Sequence, residues 1–291
     1  MTTIWTAIRK RSTLVRKGWD YARQIPRAAV RMSVVDSQYH TYPPLIANSF
    51  PKSGTHQLLQ ILEAFPRARH YGSFIASMPS FPFRERSESA HIRRIHSIVP
   101  GEYLGAHIFY KGSYARAIDD MNAVHFFIYR DLRDVAVSEA FYLKNMNRWH
   151  QMHEHFSRRL KSDDERLMTA IEGVNDPDFP FDYPDIATRM GRYLPWIGSK
   201  DVFALKYEDL NSDRRSEIVG DMTDFYSQRT DSEVDVEEVR KRALQKIDPA
   251  RSHTFREGGV GNWQRVFGEQ HRRAFQRVAE DLNISLGYAP C

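Results

Sequence analysis

The sequence predicts an α/β fold, a mainly parallel central sheet flanked by helices. Short apolar runs recur along the chain: "LIANSF" (45–50), "EYLGAHIF" (102–109), "AVHFFIY" (123–129) and "DVFALKY" (201–207). Segments with helical spacing separate them, the pattern of strands joined by crossover helices. The 291 residues, 41% hydrophobic and 27% charged, suffice for one large domain of this class or two small ones.

In chain order, "LIANSF" reads as a strand buried on both faces, and "HQLLQILEAF" (56–65) as the helix after it, through Leu58, Leu59, Leu62 and Phe65. The third run leads into a helix expected over 131–145, and "EQHRRAFQRVAEDL" (269–282) reads as a helix near the end. Residues 145–190 are polar and turn Pro-rich in "NDPDFPFDYPD", which predicts an irregular or helical insertion that shapes a pocket. Domain boundaries are expected at 1–40, a basic amphipathic extension ended by Pro43-Pro44, and 41–291, the main domain.

The charge of +5 is unevenly spread. Residues 1–31 hold eight Lys/Arg against Asp20, a local +7, while the remaining 34 basic and 36 acidic residues leave the body at −2. A near-neutral body argues against a nucleic-acid partner. Ile4, Ile8, Val15, Trp19 and Ala22 fall roughly on one helical face, so residues 1–31 read either as a peripheral membrane contact or as a solvated helix packed on the body. No run of 18 apolar residues and no secretory h-region occur, and Cys291 stands alone, so a cytoplasmic location is expected.

Three stretches bring cations together with hydroxyls or glycines. Pro51-Lys52-Ser53-Gly54-Thr55-His56 sits where strand becomes helix. There backbone N–H groups and the helix dipole face an anion, but Ser and Thr also serve as ordinary caps. The order is not G-x-x-x-x-G-K-[ST], so this is not the nucleotide-triphosphate loop. Arg130 ends the third strand and Ser138 follows eight residues later. They read as a phosphate clamp, or as a surface arginine paired with Asp131 or Asp134. "FREGGVGNWQRVF" (255–267) offers Arg256 and three glycines, an anion-wrapping loop or a flexible turn.

Taken together, these stretches resemble the sulfotransferases that use 3′-phosphoadenosine 5′-phosphosulfate (PAPS). "FPKSGT" looks like their 5′-phosphosulfate loop, and "YRDLRDVAVSEAFY" like their 3′-phosphate element with its Arg-x7-Ser spacing. "LKYEDL" and the final R-x-G-x-x-G-x-W resemble two further family stretches in the expected order, over roughly 44–270. The resemblance implies a P-loop-like sulfotransferase fold, PAPS as sulfuryl donor and no metal. It assigns catalysis to Lys52, Ser138 and His107, the last as base in "YLGAHIFY". Lys52, Ser53, Gly54, Thr55 and His56 would hold the 5′ end. Arg130, Ser138, Arg256, Glu257 and Gly258 would lie around the 3′-phosphate, and Tyr207 on the adenine side. Glu63, Glu139 and the acids of the insertion are alternative bases.

Two departures stand out. Where cytosolic members commonly carry threonine and tryptophan after the loop, this chain has His56 and Gln57, so the indole expected to stack on adenine is missing. Glu257 stands where lysine is common and puts a negative charge by the presumed 3′-phosphate. "HQMHEH" offers His150, His153, Glu154 and His155, but its spacing matches no metal pattern. The acceptor, a small molecule or a lipid-like one, is expected to meet Tyr71, Phe74, Phe81, Phe83, Trp149, Phe179, Phe181 and Tyr183. Competing readings are a P-loop-type kinase and a membrane-associated nucleotide-binding protein without turnover. The sequence leaves the oligomeric state open.

Overall fold

The computed structural model describes residues 22, 24–248 and 259–291. Five strands, Leu45–Ser49 (β1), Phe74–Ala76 (β2), Tyr103–His107 (β3), Val124–Tyr129 (β4) and Val202–Lys206 (β5), form one sheet in the order β2-β3-β1-β4-β5. Every pairing is parallel, with Leu45 level with Tyr103 on one side and Val124 on the other.

Successive side chains of a strand point to opposite faces, and both faces here are covered. In β4, Val124, Phe126 and Ile128 enter one core, while Phe127 enters the other beside Ile46 and Leu104. Among the described residues the α-helices of six residues or more are Gln24–Met32 (α1), Thr55–Leu62 (α2), Glu88–Ile95 (α3), Gly112–Asp120 (α4), Leu132–Asn145 (α5), Asp163–Glu172 (α6), Ile186–Gly191 (α7), Arg215–Ser227 (α8), Val236–Lys246 (α9) and Glu269–Ser285 (α10). α2, α8 and α9 close the first face through Leu58, Val219, Met222 and Val239. α3 to α7 and α10 close the second, around Tyr114, Leu132, Phe156, Trp196 and Phe275. No helix among the described residues is long and apolar enough to cross a membrane.

Four strands lie where the apolar runs predict them. β2 has no such signal: it is a three-residue edge strand in which only Ile75 is buried, too short to display alternation. The insertion is partly helical. It holds a π-helical turn at His155–Arg159 and α6, started by a reciprocal cap between Ser162 and Glu165.

The topology positions the site. β1 feeds α2 and a crossover toward β2, whereas β4, its neighbour, feeds α5 and a crossover toward β5. Connections leaving adjacent strands in opposite directions open a crevice at their carboxyl ends. Lys52 follows β1 there and Arg130 follows β4.

Candidate functional site

A cavity of about 370 Å³ opens at this crevice and is lined by Lys52, Gly54, Thr55, His56, Gln57, His107, Arg130, Ser138 and Tyr207. Nine of the residues singled out in the sequence therefore share one cavity. Ser53 lies directly behind it, fully buried. Arg256, Glu257 and Gly258 lie outside the described residues.

The turn after β1 has an uncommon backbone. Lys52 has φ 70° and Gly54 φ 106°. A lysine held in the left-handed region costs about 1 kcal/mol or more and persists only where its surroundings fix it. At Gly54 a Cβ would stand 2.5 Å from Cδ2 of Tyr207, so the aromatic ring can close over the turn only against glycine. The Lys52 ammonium lies 4.1 Å from the ring centre of Tyr142. Burial, together with the cation of Arg130, lowers its pKa to about 8, and Glu139 opposes that fall.

Arg130, Asp134 and Ser138 stand four residues apart. They therefore line up along the start of α5, which is the physical content of the eight-residue spacing. The Arg130 guanidinium donates to Asp134 Oδ2 at 3.0 Å and to the Gly259 carbonyl at 2.7 Å, and lies 4.4 Å from the Tyr207 ring centre. Asp134 also accepts from Gly261 N at 2.8 Å and Trp263 N at 2.9 Å, which ties the glycine-rich segment to α5. Arg133, paired with Asp131 and 4.0 Å from the Trp263 ring centre, braces the same junction. Sequence reasoning saw Asp134 only as a competitor for Arg130. Its role in the glycine-rich segment depends on contacts more than 120 residues away.

Two buried polar atoms in this half have no hydrogen-bond partner among the described residues, Ser53 Oγ and Arg130 Nε. Such atoms are costly unless a ligand satisfies them. Together with the buried Arg130 and the half-buried Lys52, whose pKa the Arg130 charge helps to lower, they suit an anion.

His107 ends β3 across from β1. Its Nδ1 is 3.0 Å from the Ser49 carbonyl and 3.1 Å from Ser49 Oγ, which is 2.6 Å from Thr55 Oγ1. A carbonyl can only accept, so Nδ1 carries the proton and Nε2 keeps a lone pair. Burial lowers the pKa to about 4, partly offset by the Ser49 carbonyl bond and reinforced by Lys52. Phe74 stands edge-on to the imidazole at 4.9 Å. Of the alternative bases, Glu139 lines the same cavity and pairs with Arg189 at 2.6 Å, Asp182 of the insertion lines it and pairs with Arg192 at 2.6 Å, and Glu63, outside the lining, pairs with Lys246 at 2.9 Å.

The place of the missing indole is taken by an amide pair. Gln57 Nε2 donates to Asn211 Oδ1 at 3.3 Å, and Asn211 Nδ2 donates back to Gln57 Oε1 at 3.2 Å and to the Tyr207 carbonyl at 2.7 Å. Asn211, 154 residues from Gln57, carries no signal in the sequence.

Of the aromatics proposed for the acceptor, Phe83 and Tyr183 line the cavity. Tyr71 is buried, while Phe81 and Trp149 are exposed away from it. Met78, Phe109, Tyr142 and Tyr193 complete the apolar wall instead. The histidine cluster is dispersed. His150 faces the cavity against Phe83, His153 donates to the Leu143 carbonyl at 2.7 Å, and His155 packs on Phe179.

Three comparisons bear on this geometry. A search of curated proteins finds no match. Among solved structures, mouse sulfotransferase SULT7A1 complexed with PAP superposes with TM-score 0.58 at 18% identity, over 84% of this chain and 89% of that one. Retinol dehydratase in complex with androsterone and inactive cofactor PAP superposes with TM-score 0.54 at 12% identity, over 90% and 85%. At such identities the likeness establishes the fold. The family profile described as "Sulfotransferase domain" matches residues 43–285, from the threshold of β1 to the end of α10. That stretch contains both the turn after β1 and the arginine after β4, and by it the chain belongs to the sulfotransferase domain family.

Proposed function

We propose that the chain moves a sulfuryl group from PAPS to the hydroxyl or amine of a small or amphiphilic acceptor, with residues 41–291 as catalytic domain and 1–40 as an extension. The observation that carries this reading is the pair of cations, half-buried Lys52 and buried Arg130, set at the switch point with Ser53 Oγ and Arg130 Nε without a partner among the described residues. These groups fit a nucleotide with phosphate at two positions. Lys52, Ser53, Gly54, Thr55 and His56 would hold its 5′ end. Arg130 and Ser138 would hold the 3′-phosphate, joined by Arg256, Glu257 and Gly258 of the terminal loop. Tyr207 and the Gln57–Asn211 amides would take adenine.

When bound, the donor supplies the sulfuryl group and a stable leaving bisphosphate. The protein does the rest. Lys52 presents a positive charge where the leaving oxygen becomes negative, the kind of fixed charge that contributes most to such reactions. Ser138, one turn beyond Asp134, adds a hydroxyl donor to the same wall. Nε2 of His107 accepts the acceptor's proton, because Ser49 holds the other nitrogen as N–H. At neutral pH the imidazole is unprotonated and ready. An anion against Lys52 offsets the charge that depresses His107, so the base strengthens when the site fills. The wall of Met78, Phe83, Phe109 and Tyr193 suits an apolar acceptor body and excludes water.

The test is incubation with sulfur-labelled PAPS and a panel of phenols, alicyclic alcohols, lipid alcohols and amines. The reading expects label in an organic product and loss of that label in Lys52→Ala. Donor binding without transfer to any acceptor class would favour a nucleotide-binding protein without turnover.

A further inference from the structure

α1 is amphipathic in the wrong sense for a helix packed on a protein body. Arg27, one of its two arginines, faces inward. Arg27 Nε donates to both carboxylate oxygens of Glu102 at 2.9 and 2.8 Å, and Nη2 donates to the Ser97 carbonyl at 2.6 Å. Glu102 is fully buried at the amino end of β3 and also accepts from Val99 N. None of the nine residues of α1 is buried.

Most of its apolar residues face outward, Val30 alone being half-buried on the Arg27 side. Ile25, Ala28, Ala29 and Met32 follow i, i+3, i+4, i+7, which at 100° per residue makes one stripe roughly opposite Arg27. Ile25 is 74% exposed and Met32 86%, and Val35, just past the helix, is 56% exposed. Among the described residues nothing covers it. An ordinary surface helix turns such a stripe to the core, so the arrangement calls for an external apolar phase.

The surrounding charge selects that phase. Residues 1–31 carry eight basic side chains and one acid. Two copies of so basic a segment repel one another, whereas a bilayer with anionic headgroups offers both an apolar layer and opposite charge. We propose that α1, with the basic segment before it, seats the protein on an anionic lipid surface, Ile25 and Met32 entering the acyl boundary and the lysines and arginines meeting the headgroups. Arg27 is then the fastening that transmits this attachment to the body. It acts at Glu102, roughly 16 Å along β3 from His107. Lipid contact and acceptor entry thus use opposite ends of the sheet.

The test is co-sedimentation of the full chain with phosphatidylcholine vesicles, with and without phosphatidylserine, beside a doubly substituted Ile25→Glu, Met32→Glu chain. Both positions are exposed, so the variant should fold, and its thermal unfolding is recorded in parallel. The expected result is binding that needs phosphatidylserine, weakens in high salt, and falls about tenfold or more in the variant. Equal binding by the two chains, or none by either, overturns the proposal. So does a wild-type dimer that the substitutions dissociate without any vesicle binding, because the stripe would then meet a second copy.

Discussion

Asp134 accepts from Arg130 Nη2 at 3.0 Å and, with the same carboxylate, from the backbone N–H groups of Gly261 and Trp263 at 2.8 and 2.9 Å. One buried side chain thereby joins the strand-end arginine to the glycine-rich segment. Both are assigned above to one phosphate. Asp134→Asn keeps the volume but loses the charge and turns one acceptor into a donor. Affinity for 3′-phosphoadenosine 5′-phosphate (PAP) should fall about 10- to 100-fold, and Arg130→Ala should cost at least as much. Because the two share a network, the double variant should lose less than the product of the single losses. Strict additivity in calorimetric titrations would mean that Asp134 acts independently of Arg130.

The acid–base assignment predicts a pH profile. His107 must be neutral and its pKa is lowered to about 4, so kcat/KM rises as pH climbs through about 4. Lys52 must be charged and its pKa is lowered to about 8, so kcat/KM falls as pH climbs through about 8. A bound anion favours the ammonium, which moves the alkaline limb of kcat above that of kcat/KM. His107→Ala should lower kcat about 10²- to 10⁴-fold, abolish the acid limb and leave PAP affinity unchanged. If the acid limb survived in that variant, another group would be the base.

The Gln57–Asn211 pair predicts base selectivity. Each amide oxygen keeps a lone pair after the reciprocal bonds, so the pair can accept from the exocyclic amino group of adenine but faces an acceptor in hypoxanthine. PAP should therefore bind about tenfold more tightly than the inosine analogue. Gln57→Leu should erase most of that preference. An unchanged ratio would remove the amides from base recognition.

His125 predicts acid lability. It is buried against Trp196 with both ring nitrogens unpartnered, and burial lowers its pKa to about 3. The folded state resists protonation, so the stability it confers is complete above the unfolded value near 6.5 and is lost as pH falls below it. At pH 5 the loss amounts to about 2 kcal/mol. Urea unfolding at pH 7 and pH 5 should show the wild type losing about that much more than His125→Phe. Equal losses would assign the acid sensitivity to other groups.

What the sequence made legible follows from where information is local. β1, β3 and β4 are buried on both faces and β5 is half-buried, so each shows as an apolar run, and the candidate residues Lys52, His107, Arg130 and Tyr207 sit at their ends. The Arg130–Ser138 spacing was readable because two helical turns are a local fact. β2 was not, since three edge residues with one buried side chain leave no pattern. Nor were the partners of Gln57 and Asp134, which the fold brings in from distant segments. The acceptor wall was legible only in part, through Phe83 and Tyr183, for a third reason. Composition locates aromatic residues but not the direction of their side chains, so Trp149 is exposed while Phe109 and Tyr193, not among the aromatics named for the acceptor, line the cavity.

The central claim is that two cations at the ends of β1 and β4, Lys52 and Arg130, hold a nucleotide carrying phosphate at both its 5′ and 3′ positions. Calorimetric titration of PAP, with 5′-AMP and ATP–Mg²⁺ as comparators and Arg130→Ala as control, tests it most directly. The account predicts tight binding of PAP that weakens at least about tenfold when either the 3′-phosphate or Arg130 is removed. Equal affinity for 5′-AMP, or a preference for ATP–Mg²⁺, would contradict it.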